Sequence, residues 1–207
     1  MIITTEPSKG GKLTVYIDGE YLLTVDPDTW YSLNYSNGDE ITPEELDEFN
    51  FIVSSRLAYA QALRFLTLRA HSASELYKKL IKKHSPEAAE FAVGRCRELG
   101  FIDDTDFAER YALELAEKKH YGISRIRNEL FLKGVDREII DNTLAALELD
   151  TENAIIGIIE KKYGGCLSDE KGRRRMIAGL VRLGYSYPDI KSALSELNLS
   201  EDLHDEY

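Results

Sequence analysis

Apolar positions in this chain recur at a spacing of fifty residues. Leu80, Leu130 and Leu180 share it, as do Leu76, Ile126 and Met176. Ala58, Ala108 and Ile158 carry it earlier, with Leu57 and Phe107 beside them, and Leu99, Leu149 and Leu199 carry it later. Lys83, Lys133 and Leu183 follow the same rule, then His84, Gly134 and Gly184. An ungapped period of this length marks stacked copies of one supersecondary unit. The pattern predicts three copies of a small helical module over residues 57–207.

Each copy reads as three helices. The first runs over Leu57 to Arg69, with counterparts near Phe107 to Lys118 and Asn153 to Lys162. Breaks follow at Ala70-His71-Ser72, Tyr121-Gly122 and Gly164-Gly165. The second carries the apolar pairs four residues apart, which places both members on one face against a core. Ser72 and Glu75 have capping-box spacing at its start. Gly134 and Gly184 close it in the second and third copies, where glycine takes the left-handed cap at little cost. The third helix starts at Ser85-Pro86-Glu87, Asp136-Arg137-Glu138 and Ser186-Tyr187-Pro188-Asp189, each a capping side chain followed by Pro or an acid.

The first 56 residues alternate instead. Leu13, Val15 and Ile17 interleave with polar positions, Asp18-Gly19 follows, and Tyr21, Leu23 and Val25 alternate again. Asp-Gly between alternating runs signals a hairpin. Met1 to Thr5 supplies a third strand across Ser8-Lys9-Gly10-Gly11, and Thr42-Pro43-Glu44-Glu45 starts a helix running almost into the first repeat. The expected fold is mainly α, with three tandem three-helix repeats behind a small N-terminal β-hairpin module. The boundaries are 1–56 for that module and its connecting helix, then 57–104, 105–150 and 151–207 for the repeats, the last ending in an acidic tail.

Charge sharpens this division. The chain carries a net −11. Residues 1–56 hold 3 basic and 11 acidic side chains, and Glu201 to Tyr207 hold four acids and no base. Residues 57–200 are near neutral, and their bases cluster on the second helix of every copy. Lys78, Lys79, Lys82 and Lys83 form the first cluster, Arg125, Arg127 and Lys133 the second, and Arg173, Arg174, Arg175 and Arg182 the third. With Arg69 these are the candidate residues for a DNA or protein partner; solvated faces opposite the leucine core are the alternative.

Catalytic patterns are missing. Gly11-Lys12 has Glu6 and Leu13 where a phosphate loop needs Gly and Ser or Thr. His71, His84, His120 and His204 have neither metal spacing nor Cys neighbours, so no metal and no cofactor is expected. His71 and His84 fall at helix junctions, where capping or solvated roles are expected. Glu44-Glu45-x-Asp47-Glu48 reads as the acidic first turn of a helix. Cys96 and Cys166 read as reduced packing thiols. Tyr16, Tyr21, Tyr185 and Tyr187 read as half-buried packing residues. No apolar run approaches the roughly 18 residues of a membrane helix. No secretory signal opens the chain, so the cytoplasm is the default.

Leu66-x-x-Arg69-x-x-Ser72-x-x-Glu75-Leu76-x-x-x-Leu80 resembles the first-repeat signature of the RecX regulators of bacterial homologous recombination. Gly100-Phe101-Ile102-Asp103-Asp104-x-x-Phe107-Ala108 resembles that family's junction between repeats. Gly122-x-x-x-Ile126-x-x-Glu129-Leu130-x-x-Lys133-Gly134-Val135 resembles its second-repeat signature. The resemblance covers residues 57 to about 200, and the hairpin followed by Gly38-Asp39-Glu40-Ile41 is similar to longer members. Two departures remove positive charge: His71 where Arg is common, and Leu183 where a base often precedes the third-repeat Gly. The resemblance implies a non-enzymatic, monomeric protein that binds the RecA recombinase and its filament on single-stranded DNA. It further implies that filament extension, ATP hydrolysis, strand exchange and co-protease activity are restrained, and that the protein belongs to the regulation of DNA repair and the SOS response. Weak direct DNA contact accompanies that reading. A nucleic-acid-binding adaptor acting through the basic stripe is the alternative.

Overall fold

The structure, a computed structural model, describes residues 1–164 and 170–197. They divide into two compact units. One comprises Met1–His71 and Glu75–Ile102; the other takes in Ser72–Ser74 and the chain from Asp103 onward.

The first unit opens with strands β1 (Ile2–Pro7), β2 (Leu13–Ile17) and β3 (Glu20–Val25). Asp18 and Gly19, at φ 50 and 84, turn the hairpin between β2 and β3 in the left-handed region. A short helix α1 (Pro27–Tyr31) is capped by Asp26, which accepts from Thr29 N. Two residues of β4 (Asp39–Glu40) then pair with β1, and the antiparallel order is β3-β2-β1-β4. Neither α1 nor β4 is evident from the sequence pattern. Trp30 is buried in the core, and Ile41 N donates to Met1 O at 2.8 Å, so tertiary contacts hold both short elements.

Ile3, Val15, Val25, Trp30 and Ile41 form one core with Phe49 and Val53 of α2 (Pro43–Leu68). Thr42 and Glu45 complete a capping box at its start. α2 runs for 26 residues without a break. The helix that leaves the sheet is therefore also the first helix of the first repeat. α3 (Ala73–Leu80) and α4 (Pro86–Glu98) complete that repeat. Ala58 and Ala62 of α2 and Ala88, Ala89 and Ala92 of α4 are all buried. Small side chains let two helix backbones approach closely, and α2 packs more extensively on α4 than on any other element.

In the second unit, α5 (Asp104–Lys119), α6 (Ile123–Leu132) and α7 (Arg137–Ala146) make the second repeat. Helices α8 (Thr151–Tyr163), α9 (Glu170–Leu183) and α10 (Tyr187–Glu196) make the third. Ile126 and Leu130 anchor one core with Phe107, Ala112 and Ile140. Met176 and Leu180 anchor the other with Ile155, Ile159 and Ile190. Leu76, Leu80 and their four counterparts at the fifty-residue spacing are all fully buried.

The period is not ungapped, however. Gly134 and Gly184 adopt φ 72 and 95, and the next residues, Val135 and Tyr185, donate back to Leu130 O and Leu180 O at 3.2 Å. This is the Schellman closure of a helix, and both following residues are buried in their cores. The first repeat lacks that residue. His84 N returns to Leu80 O, and the cap Ser85 follows at once. The third helices are therefore offset by one. Cys96, Leu147 and Leu197 face the cores; Leu99 is exposed at the end of α4, whereas Leu149 is half-buried against the second-repeat core. Leu199 lies outside the described residues. Leu57 is also exposed although Phe107 is buried.

Candidate functional site

The second helices present the candidate bases in two conditions, held and free. Arg69 grips the carboxylate of Glu75 with both terminal nitrogens, at 2.7 and 2.8 Å. Arg125 pairs with Glu129 at 2.9 Å and lies over the Tyr121 ring. Arg127 pairs with Asp141, and Arg174 with Glu170. Lys133, the C-terminal cap of α6, stands 5.5 Å from the centre of the Tyr111 ring. Arg173 is half-buried and also partnered. Lys78, Lys82, Lys83, Arg175 and Arg182 are exposed and make no ion pair among the described residues.

The four lysines of the first cluster do not share one helix face. α3 stops at Leu80, so Lys82 and Lys83 stand in the turn beyond it. Lys79 is half-buried, its Nζ 2.7 Å from His71 Nε2 and 4.9 Å from the centre of the Phe65 ring. His71 itself is buried, not solvated at the junction. Its Nδ1 lies 2.9 Å from Arg69 O. A carbonyl only accepts, so Nδ1 carries the proton and Nε2 offers its lone pair to the Lys79 ammonium. Burial first, then the charges of Arg69 and Lys79, hold the His71 pKa below its ordinary value. A neutral imidazole thus anchors a lysine where a second cation would be repelled. His84 is also lowered, by burial and by Lys83, and its Nε2 lies 2.7 Å from Gln61 Oε1.

A backbone joint, not legible from composition, recurs at the ends of these helices. Gly122 N donates to Leu183 O at 2.8 Å, and Ser124 N to Gly184 O at 3.3 Å. The Tyr185 hydroxyl adds a bond to His120 O at 3.0 Å. Fifty residues earlier the Ser72 hydroxyl donates to Lys133 O at 2.5 Å, with Ala73 N on Asp104 Oδ1 at 2.8 Å. Each joint supplies donors to the carbonyls that a helix end leaves unpaired. The shared role of Lys133 and Leu183 therefore uses the carbonyl, which tolerates either side chain. Ile81, Phe131 and Val181, also fifty apart, are exposed directly after the buried leucines.

Other candidates are structural. Cys96 is buried, and burial raises its thiol pKa; Cys166 and His204 lie outside the described residues. Tyr185 is a buried core residue, more enclosed than the half-buried role expected of it, while Tyr21 and Tyr187 are exposed. Among the described residues no cluster of His, Cys, Asp and Glu is placed to hold a metal ion. No helix among them is long and apolar enough to cross a membrane.

This architecture defines a class: a tandem three-helix-repeat protein with a small N-terminal sheet. Family models for the first and second three-helix domains of RecX match residues 58–96 and 103–144. The chain is 30% identical over 201 residues to the regulatory protein RecX of Caldanaerobacter subterraneus, covering 94% of this chain and 99% of that one. It is 34% identical to the RecX of Cronobacter sakazakii, over 66% of this chain and 92% of the relative. A crystal structure of regulatory protein RecX superposes with a TM-score of 0.65 at 20% identity, covering 95% and 98% of the two chains. RecX from Lactobacillus salivarius gives 0.63 at 22% identity, over 70% and 97%. The chain belongs to the RecX family of regulatory proteins.

Proposed function

We propose that this protein, acting as a monomer in the cytoplasm, binds the RecA recombinase and its filament on single-stranded DNA and restrains filament extension. ATP hydrolysis and strand exchange fall as a consequence. The observation that carries this reading is the 30% identity to a regulatory protein RecX over nearly the full length of both chains. Contacts from several repeats to one polymer add through effective concentration, so individually weak contacts suffice. The free cations Lys78, Lys82, Lys83, Arg175 and Arg182 are the first bases to meet filament phosphates or RecA carboxylates. Arg125, Arg127 and Arg174 sit in exposed ion pairs, which solvent screens, so they exchange partners cheaply. Arg69, Lys79, Lys133 and Arg173 contribute mainly by holding the surface in shape.

The test reverses the free cations. Lys78, Lys82 and Lys83 are changed together to Glu, and Arg175 and Arg182 in a second variant. Binding to the RecA filament and to bare single-stranded DNA is titrated with salt. Filament binding should weaken in both variants while their circular dichroism stays that of the parent. Undiminished filament binding by folded variants would refute the role of these cations. Binding to bare strands as tight as to the filament, falling log-linearly with salt at a slope of about −0.7 per phosphate neutralised, would favour the DNA adaptor instead.

A further inference from the structure

An open groove of about 650 Å³ lies in the first unit, along α2 and the start of α4. Leu23, Phe51, Val53 and Leu57 supply its apolar lining, and Asp47 and Glu87 stand among them. Asp47, Asn50, Phe51, Ser54 and Leu57 follow helical spacing on one face of α2, so the row is built by the helix itself. Phe91 of α4 extends the row, meeting Phe51 edge to face with ring centres 6.0 Å apart. Phe51, Leu57 and Phe91 are 43, 47 and 47% exposed. A contiguous exposed apolar row of this kind marks an interaction surface.

Its electrostatics select the partner. Asp47 and Glu87 make no ion pair among the described residues. Glu44 and Glu48 are exposed within one turn of Asp47. The stretches that carry the row, residues 44–57 and 85–91, hold six acids and one base, Arg56, with Lys82 and Lys83 exposed just before the second stretch. Residues 1–56 as a whole carry 11 acids and 3 bases. Phosphate-bearing partners, whether nucleic acid or anionic lipid, are repelled by such a rim.

We propose that this groove docks a cationic amphipathic helix of a partner protein, apolar side chains lying on Phe51, Leu57 and Phe91 and lysines or arginines meeting Asp47 and Glu87. From Asp47 to Leu57 the row runs about 15 Å at 1.5 Å per residue, the length of about three turns of a docked helix. Helix-in-groove recognition uses apolar anchors at that spacing. The surface joins the helix that leaves the N-terminal sheet to the first repeat. Asp47, Asn50, Phe51, Ser54 and Leu57 lie outside both matched family models, whereas Ser85, Glu87 and Phe91 lie within the first.

The test uses the full-length protein and a fluorescently labelled amphipathic peptide built from leucine and lysine at helical spacing, with a second peptide carrying glutamate for every lysine. Anisotropy should report binding of the lysine peptide and not of the glutamate peptide. Phe51→Ser with Phe91→Ser should weaken it by about tenfold or more, as loss of central anchors does. Asp47→Lys with Glu87→Lys should weaken it comparably and flatten its salt dependence. Both pairs change exposed residues, and circular dichroism should match the parent. The proposal is overturned if both folded double variants bind like the parent, or if the glutamate peptide binds equally well. It is also overturned if the protein is a dimer that Phe91→Ser converts to monomer, since a second copy would then occupy the groove.

Discussion

Gly122→Ala tests the backbone joint of the second unit. Gly122 has φ −79, which alanine adopts without strain, so the effect isolates crowding. An added Cβ would lie 2.7 Å from Tyr185 N, 2.5 Å from the carbonyl carbon of Gly184, and closer still to its oxygen. All three are backbone atoms and cannot rotate away. Reaching ordinary contact near 3.4 Å requires the helix ends to part by roughly an ångström. That stretches the 2.8 Å bond from Gly122 N to Leu183 O past any useful length and loosens the 3.3 Å bond from Ser124 N. Gly122 is buried, and an unmet buried polar group costs about 1–3 kcal/mol. With the second bond and strain included, the loss is about 2–4 kcal/mol. At about 2–4 °C per kcal/mol for a chain of this size, calorimetry should show a melting temperature lower by about 5–15 °C. Gly94→Ala is the control, because a Cβ there meets nothing within 4 Å inside α4. It should stabilise by about 0.5–1 kcal/mol. A Gly122→Ala protein melting within about 1 °C of the parent would refute the joint as a source of stability.

Leu130→Ala should cost about 2–5 kcal/mol by denaturant titration, since Leu130 is fully buried, whereas Phe131→Ser one residue on should stay within about 0.5 kcal/mol. The His71 pKa is depressed in the folded chain, so the unfolded chain binds more protons at mildly acid pH. The stability linked to His71 is thus full above about pH 6.5 and lost as pH falls through the lower folded value; a melting temperature that rises on acidification through that window would contradict this. Lys79→Met should raise the His71 pKa by removing a neighbouring cation, with imidazole NMR as readout; an unchanged or lower value would show that Lys79 does not repel the protonated ring.

The repeat architecture was readable because cores impose periodic side chains. Leu80, Leu130 and Leu180 each fill one, and Ser85, Asp136 and Ser186 each cap a third helix. The reading slipped where backbone geometry changed without changing residue class. The first repeat lacks the position of Val135 and Tyr185, so Leu99, in register by number, falls on the wrong face. Charge was legible, but pairing was not. Lys78 and Lys79 are identical in sequence terms, yet Lys79 turns inward because a buried imidazole lone pair and the Phe65 ring await it. The joint at Leu183 was invisible because it uses a carbonyl, which every residue has.

The most direct measurement of the central claim is the rate of ATP hydrolysis by RecA on single-stranded DNA as this protein is added. Blocking growth at a filament end affects many protomers, so the account predicts slowing at substoichiometric amounts, relieved by reversal of Lys78, Lys82 and Lys83 to Glu. A hydrolysis rate that stays constant up to a large excess of folded protein over its own organism's RecA would contradict it.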